Sequence, residues 1–388
     1  MRHAPHVSAY SKATPDREGA SSGLAERKIY PGRYTAVHIM LLVVFGAGAS
    51  YDSVPAYPAS RVTASTHLDE YSRSSDRLPL ANQLFENREE FAQDMSHFPQ
   101  CRPITSYLLP NQDGISLERV LQKLQDEAAE YPARHRQLAA IRYYLQVMLR
   151  RCEQRWIKRA PGGATNQITM LDQIERWRKP DEQVCIVTFN YDLMLETALS
   201  ALGILIGTIS DYVADSKYKL IKLHGSVNWG RQVRAPDELL QKDVWSLVHT
   251  LIEDANSLEI TQDYRLVDQS PIHASDGSVL FPAIAIPVET KVNYECPDEH
   301  LEALHAAIPE VDKLMVIGWR AAETPFLEFL ANNLRQEVQG FVVAGGSDAA
   351  NETVHRVQSA GVNGDYVVTD GGFTEFVVER QADEFLSG

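Results

Sequence analysis

Cysteine is scarce in this chain: among 388 residues there are four, Cys101, Cys152, Cys185 and Cys296, and no two of them form a CxxC pair. That excludes a dense disulfide framework and leaves a reducing cytoplasm as the simplest expected location. A long apolar run is also missing. The longest, from about Ile39 to Ala49, is far short of the roughly 20 residues that a membrane-spanning helix needs. Positive charge is the third deficit: 37 Lys and Arg stand against 52 Asp and Glu, a formal net charge of −15. Whole-surface attraction to nucleic acid or an anionic membrane is therefore disfavoured, although a local basic patch remains open. Residues 1–35 are polar and lack the apolar segment of a secretory signal, so they are expected to form a disordered tail. What is present is ordinary for a folded domain, 44% hydrophobic and 23% charged residues, at a length that suits one large α/β domain with insertions or two to three smaller ones.

The apolar run 39–45 closes on Gly46-Ala47-Gly48-Ala49-Ser50, the pattern of a buried parallel strand entering a tight turn. Comparable runs recur at 184–189, 220–223, 283–286, 314–317 and 341–344, with helical patterns at 192–202 and 324–338 between them. Such alternation predicts an α/β doubly wound parallel sheet. It is interrupted at about 68–180 by a helical insertion. There Leu117, Val120, Leu121, Leu124 and Ala128 follow the N-cap Ser116, and Leu138, Ile141, Leu145, Met148, Leu149, Cys152 and Trp156 form a second stripe that ends at Pro161-Gly162-Gly163. A smaller acidic insertion is placed at about 230–277, so the expected organisation is a 1–35 tail and a 36–388 domain with two insertions.

Three segments carry candidate chemistry, all at predicted strand ends, where α/β folds bind ligands. The glycine turn at Gly46 and Gly48 would let backbone amides approach a pyrophosphate, yet alone it also fits a plain tight turn. In Thr188-Phe189-Asn190-Tyr191-Asp192, Asp192 alone fits a helix N-cap, whereas Asn190 needs a separate reason. His224, in Leu223-His224-Gly225-Ser226-Val227-Asn228-Trp229, could titrate near neutrality in the same crevice or be a structural histidine.

Together these segments resemble the sirtuin (SIR2) superfamily, in which a Gly-Ala-Gly-x-Ser loop, a Thr-x-Asn-x-Asp strand end and a His-Gly follow in that order. The wording Phe-Asn-Tyr-Asp and Leu-His-Gly-Ser-x-Asn-Trp is similar to the bacterial SIR2-like branch of anti-phage defence, as are Ile115–Leu121 and Val316-Ile317-Gly318-Trp319 with Glu323-Thr324. The resemblance spans about 39–370. It implies a Rossmann-like sheet in which Gly46, Ala47, Gly48 and Ser50 line NAD. It further implies that Asn190 orients the nicotinamide ribose or a water, that Asp192 holds the carboxamide, and that His224 acts as general base. Gly318, Gly345 and Ser347 would lie toward the adenosine.

This sequence departs from the family's deacetylases in two ways. Phe189 replaces their glutamine, and the two CxxC pairs of their zinc ribbon are absent, a helical insertion standing in that place. The resemblance therefore implies an NAD glycohydrolase that needs no metal, releases nicotinamide and ADP-ribose, and depletes NAD when triggered. An NAD- or nucleotide-sensing module without turnover and an NAD-dependent protein deacylase are the alternatives.

The stretch 134–159 carries Arg134, Arg136, Arg142, Arg150, Arg151, Arg155, Lys158 and Arg159. It is read as a solvated or subunit-contacting face in preference to a nucleic-acid groove. With the apolar stripe ending at Trp156, it leads to the expectation of a homo-oligomer or a complex with a separately encoded sensor, such as an ATPase or a nucleotide-processing enzyme.

Overall fold

The computed structural model describes residues 40–61, 76–104, 108, 116–234, 242–267, 272–288 and 294–388; the expected tail at 1–35, with Ile39 and Ile115, lies outside them. Strand β1, Met40–Phe45, is apolar throughout and buried throughout. A strand with no polar face must be covered on both sides, and its residues alternate between two cores: Leu41, Val43 and Phe45 enter one, Met40, Leu42 and Val44 the other.

β1 pairs in parallel with β2, Gln183–Thr188, on one side and with β7, Val311–Ile317, on the other. β3, Tyr218–Lys222, extends the sheet beyond β2; β8, Val338–Val343, and β9, Gly364–Val368, extend it beyond β7. The order is β3-β2-β1-β7-β8-β9, a Rossmann-like doubly wound sheet. The chain leaves β1 in one direction and resumes at β7 in the other, so the switch point opens between the carboxyl ends of β1 and β7. The helices Asn166–Trp177 and Met194–Ala201 cover one face, and Asp298–Ala307, Thr324–Asn333 and Ser347–Ser359 cover the other. Near the chain's end, Asp52 ties the segment after the glycine turn to the helix Phe373–Val378: its carboxylate accepts from the Thr374 amide at 2.9 Å and from the Thr374 hydroxyl at 2.7 Å.

Several expectations are corrected. The run at 283–286 is not a strand of the parallel sheet. β6, Leu280–Ile284, pairs antiparallel with β4, Gly225–Val233, whose other side carries β5, Ile260–Leu266. Pro282 lies inside β6 and lacks the amide that a central strand donates, so an edge suits it. The 230–277 insertion is thus part of this three-stranded sheet, with the helix Val244–Glu253 beside it. β9, which the sequence reading omits, alternates between exposed and half-buried residues and offers no continuous apolar run. The helical insertion also ends earlier than 180. Met170, Leu171 and Ile174 of the helix Asn166–Trp177 pack with Leu41, Val43 and Phe45, which makes that helix the crossover from β1 to β2.

Within the insertion, the helices Leu117–Glu127 and Pro132–Ile157 join one core with Val248 and Leu251 of the Val244–Glu253 helix. Trp156 is fully buried and donates from Nε1 to Ser53 Oγ at 2.8 Å. Five of the eight basic side chains are engaged within the chain as well: Arg134 with Glu127 at 2.7 Å, Arg136 with Glu253 at 2.9 Å, Arg151 with Asp94 at 2.6 Å, Arg159 with Asp76, and Arg142 Nε with the Ile284 carbonyl at 3.2 Å; Arg155 adds longer pairs with Asp76 at 3.7 Å and Glu90 at 3.8 Å. The stripe read as spare surface for another subunit is therefore covered intramolecularly. Among the described residues, no helix is long and apolar enough to cross a membrane.

Candidate active site

The glycine turn is shaped by β7. The Gly46 amide donates to the Ile317 carbonyl at 3.0 Å and the Gly48 amide to the Gly318 carbonyl at 3.0 Å. Gly318 has φ +63°, and a Cβ there would fall 2.2 Å from the Ala49 nitrogen; one on Gly46 would fall 2.5 Å from Trp319 Cα. Backbone meets backbone across the switch point, and only glycine fits. Gly318 thus packs on the loop itself. Ala47 and Ser50 belong to the short helix Ala47–Tyr51 that follows.

Ser50, Asn190 and Asp192 converge. Asn190 Nδ2 donates to the Gly46 carbonyl and to Ser50 Oγ, both at 2.8 Å. Ser50 Oγ in turn donates to Asp192 Oδ2 at 2.6 Å, a charge-assisted bond. Asp192 Oδ1 accepts from the Met194 amide at 3.1 Å, but the N-cap position of the helix Met194–Ala201 is Leu193, so Asp192 stands one residue before the cap rather than in it. The Asn190 amide donates to Thr188 Oγ1 at 3.1 Å, and the Thr188 hydroxyl to the Phe45 carbonyl at 3.3 Å. Asn190 and Asp192 are each 8% exposed and Ser50 4%. Each Asp192 oxygen retains lone-pair capacity beyond the bond described.

His224 follows β3 on the same carboxyl edge. Its ring meets Phe189 edge-on at 4.9 Å and Tyr191 at 6.2 Å, so it neighbours the Asn190 segment on both sides. Gly225 has φ +76°, and a Cβ would lie 1.9 Å from the Ala283 carbonyl oxygen; the glycine lets the chain turn from β3 into β4 against β6. Phe189 stacks on Trp319 at 5.3 Å, which joins the segment after β2 to the segment after β7 across the end of β1. Gly345 and Ser347 lie on the same carboxyl edge but at β8, two strands from β1 and apart from the Ser50–Asn190–Asp192 cluster. A Cβ on Gly345 would meet open space.

Three charged residues behind the site were not anticipated. Lys222, fully buried, donates from Nζ to the Asp192 carbonyl and to Glu196 Oε1 at 2.8 Å; the Tyr212 hydroxyl donates to the same Glu196 oxygen at 2.9 Å. Glu153, on the insertion helix, accepts the Leu193 amide at 2.9 Å through Oε2. Burial, and then the nearby Asp192 charge, push its carboxyl up to about 8. A lysine inside the apolar run at 220–223 was a visible signal. Glu153 offered a weaker one: it falls four residues after Leu149 and three before Trp156, on the apolar stripe of its helix. The four cysteines are buried in two separate clusters, Cys101 and Cys152 in one and Cys185 and Cys296 in the other.

No protein-family model matches the chain, and no curated protein matches it. Solved structures do. It is similar to Sir2Tm bound to a propionylated peptide, at 14% identity and TM-score 0.36, covering 90% of this chain and 94% of that one. It is also similar to Sir2 bound to an acetylated peptide, at 13% identity and TM-score 0.34 with 90% and 94% covered. A third similar structure is a Sir2–p53 peptide–NAD+ complex, at 14% identity and TM-score 0.35 with 89% and 93% covered. At these values it is the strand order of the chain itself that defines the fold.

Proposed function

We propose that the chain binds NAD at the switch point between β1 and β7 and hydrolyses the bond between ribose and nicotinamide. The observation that carries this reading is the Ser50–Asn190–Asp192 cluster, anchored to the Gly46 carbonyl. It matches residue for residue the motif order of the sirtuin superfamily that the sequence resembles. Asp192 can accept a carboxamide N–H, whereas the Gly46 and Gly48 amides are already taken by the Ile317 and Gly318 carbonyls, so the glycines serve the close approach of the two loops rather than donating to a pyrophosphate.

In this reading the carbon–nitrogen bond breaks with its electron pair leaving on nicotinamide, which departs neutral, and an oxocarbenium-like ribose accepts the oxygen of water. Asp192 holds the leaving group, Asn190 orients the water, and His224 takes the proton that water loses. The products are ADP-ribose, nicotinamide and one proton. Phe189 at the deacetylase glutamine position and the lack of CxxC pairs favour water over an acyl-lysine as acceptor. Such an activity in a cytoplasm would require restraint, so an anti-phage effector held in check by self-assembly or by a separately encoded sensor belongs to the same reading.

The test is to incubate the purified chain with NAD, with and without an acetyl-lysine peptide, and to follow nicotinamide and ADP-ribose by chromatography. Release without peptide is expected. Release that depends on the peptide would make it a deacylase, NAD binding without release would make it a sensor, and neither binding nor release would refute the assignment.

A further inference from the structure

The Asp192 carbonyl and the Leu193 N–H are the two polar ends of a single peptide unit. Lys222 Nζ donates to the first, and Glu153 Oε2 accepts the second at 2.9 Å. The peptide plane is rigid, so gripping both ends fixes its rotation. The Asp192 side chain, carried by the α-carbon at one end of this plane, reaches Ser50 Oγ at 2.6 Å. The two grips come from different layers: Lys222 from β3, and Glu153 from the insertion helix Pro132–Ile157, 40 positions before Leu193.

Packing alone does not account for Glu153. It is 5% exposed, in a stretch of helix that also buries Cys152 and Trp156, where an apolar residue of similar length would fill the space without desolvating a carboxyl group. What the carboxyl contributes is an acceptor for the Leu193 amide. Lys222, with no exposed surface, poses the same question and has the same kind of answer. It is paired with Glu196 and aimed at the carbonyl next to a site carboxylate.

We propose that Glu153 is a positioning residue: through the Leu193 amide, and opposite Lys222, it fixes the peptide plane that aims the Asp192 carboxylate, and so makes the helical insertion part of the site's geometry. The functional half of this rests on the NAD reading above; the structural half does not.

Glu153→Met and Glu153→Gln separate positioning from bulk. Methionine fills a similar volume but provides no comparable acceptor, so it keeps the packing and removes only the hold on the Leu193 amide. The Leu193 amide should then exchange with deuterium at least about tenfold faster, and kcat for NAD should fall about tenfold with KM changed less than about threefold. Glutamine keeps an acceptor oxygen, and at neutral pH it resembles the protonated acid that burial favours. It should restore both exchange and kcat to within about threefold of wild type. Unchanged exchange at Leu193 in Glu153→Met overturns the proposal, as does faster exchange with unaltered kcat, or a Glu153→Gln protein that behaves like Glu153→Met. A wild-type protein that does not cleave NAD would count against the NAD reading and leave the clamp to be decided by Leu193 exchange.

Discussion

Ser50 and Asp192 are 142 positions apart in the chain, yet the serine hydroxyl donates to the aspartate at 2.6 Å, and the same hydroxyl accepts from Asn190 at 2.8 Å. One side chain from the helix after β1 therefore sets the spacing of two side chains that follow β2. Ser50→Ala should leave Asn190 and Asp192 without this shared partner and cost about 1–3 kcal/mol of stability, measured by urea unfolding. Turnover of NAD should fall at least about tenfold. A variant as stable and as active as wild type would mean that the hydroxyl has no organising role.

Asn190→Ala and His224→Ala are each expected to lower nicotinamide release by at least about a hundredfold, the scale for losing a positioning or acid–base group. Both should remain folded by circular dichroism, since neither empties a large core volume. Wild-type rates in both would remove these residues from the chemistry.

The Glu153 carboxyl, pushed up to about 8 by burial and then by Asp192, also makes stability depend on pH. Asp192, Glu196 and Lys222 are the charged groups that face it. The unfolded chain releases this proton above about pH 4.5, and the folded chain keeps it until about pH 8. Across that window the folded state binds more protons, so stability falls as pH rises, by at most about 1.4 kcal/mol per pH unit from this group. Glu153→Gln removes the effect. Its melting temperature should exceed that of wild type by a margin that widens between pH 5 and pH 8, and a constant margin in calorimetry would contradict the assignment.

Two glycines should respond in opposite ways. Gly225→Ala places a Cβ 1.9 Å from the Ala283 oxygen at φ +76° and should destabilise by more than about 1 kcal/mol. Gly345→Ala meets open space and should stay within about 0.5 kcal/mol of wild type. If Gly345 lies along the adenosine, that variant should still raise KM for NAD. An unchanged KM would take Gly345 out of the site.

The sheet was legible where burial is continuous. β1 is apolar throughout and β2, β7 and β8 each contain a continuous buried apolar run, and the glycine turn is marked by residues that backbone contact demands. β9 was not legible because an edge strand has one solvated side. β6 is hard to place from the sequence because the apolar residues after Pro282 read like a buried parallel strand, although a strand containing proline suits an edge. Within the candidate site, Asn190, Asp192 and His224 stand out because they follow strand ends, whereas Ser50 and the roles given to all four come from the resemblance to the sirtuin motif order. Glu153 is marked only by its place on the apolar stripe between Leu149 and Trp156, and it takes the packing of a second layer over its helix to show that it is buried.

The bonds from Asp52 to Thr374 have a consequence for how the protein is made. The segment that follows the glycine turn is fastened by a residue 322 positions later. While the chain is being synthesised, Asp52 has no Thr374 to hold until residue 374 has emerged. A nascent chain can form β1 and β2 well before that, but its glycine turn lacks this anchor until the helix Phe373–Val378 is there to supply it.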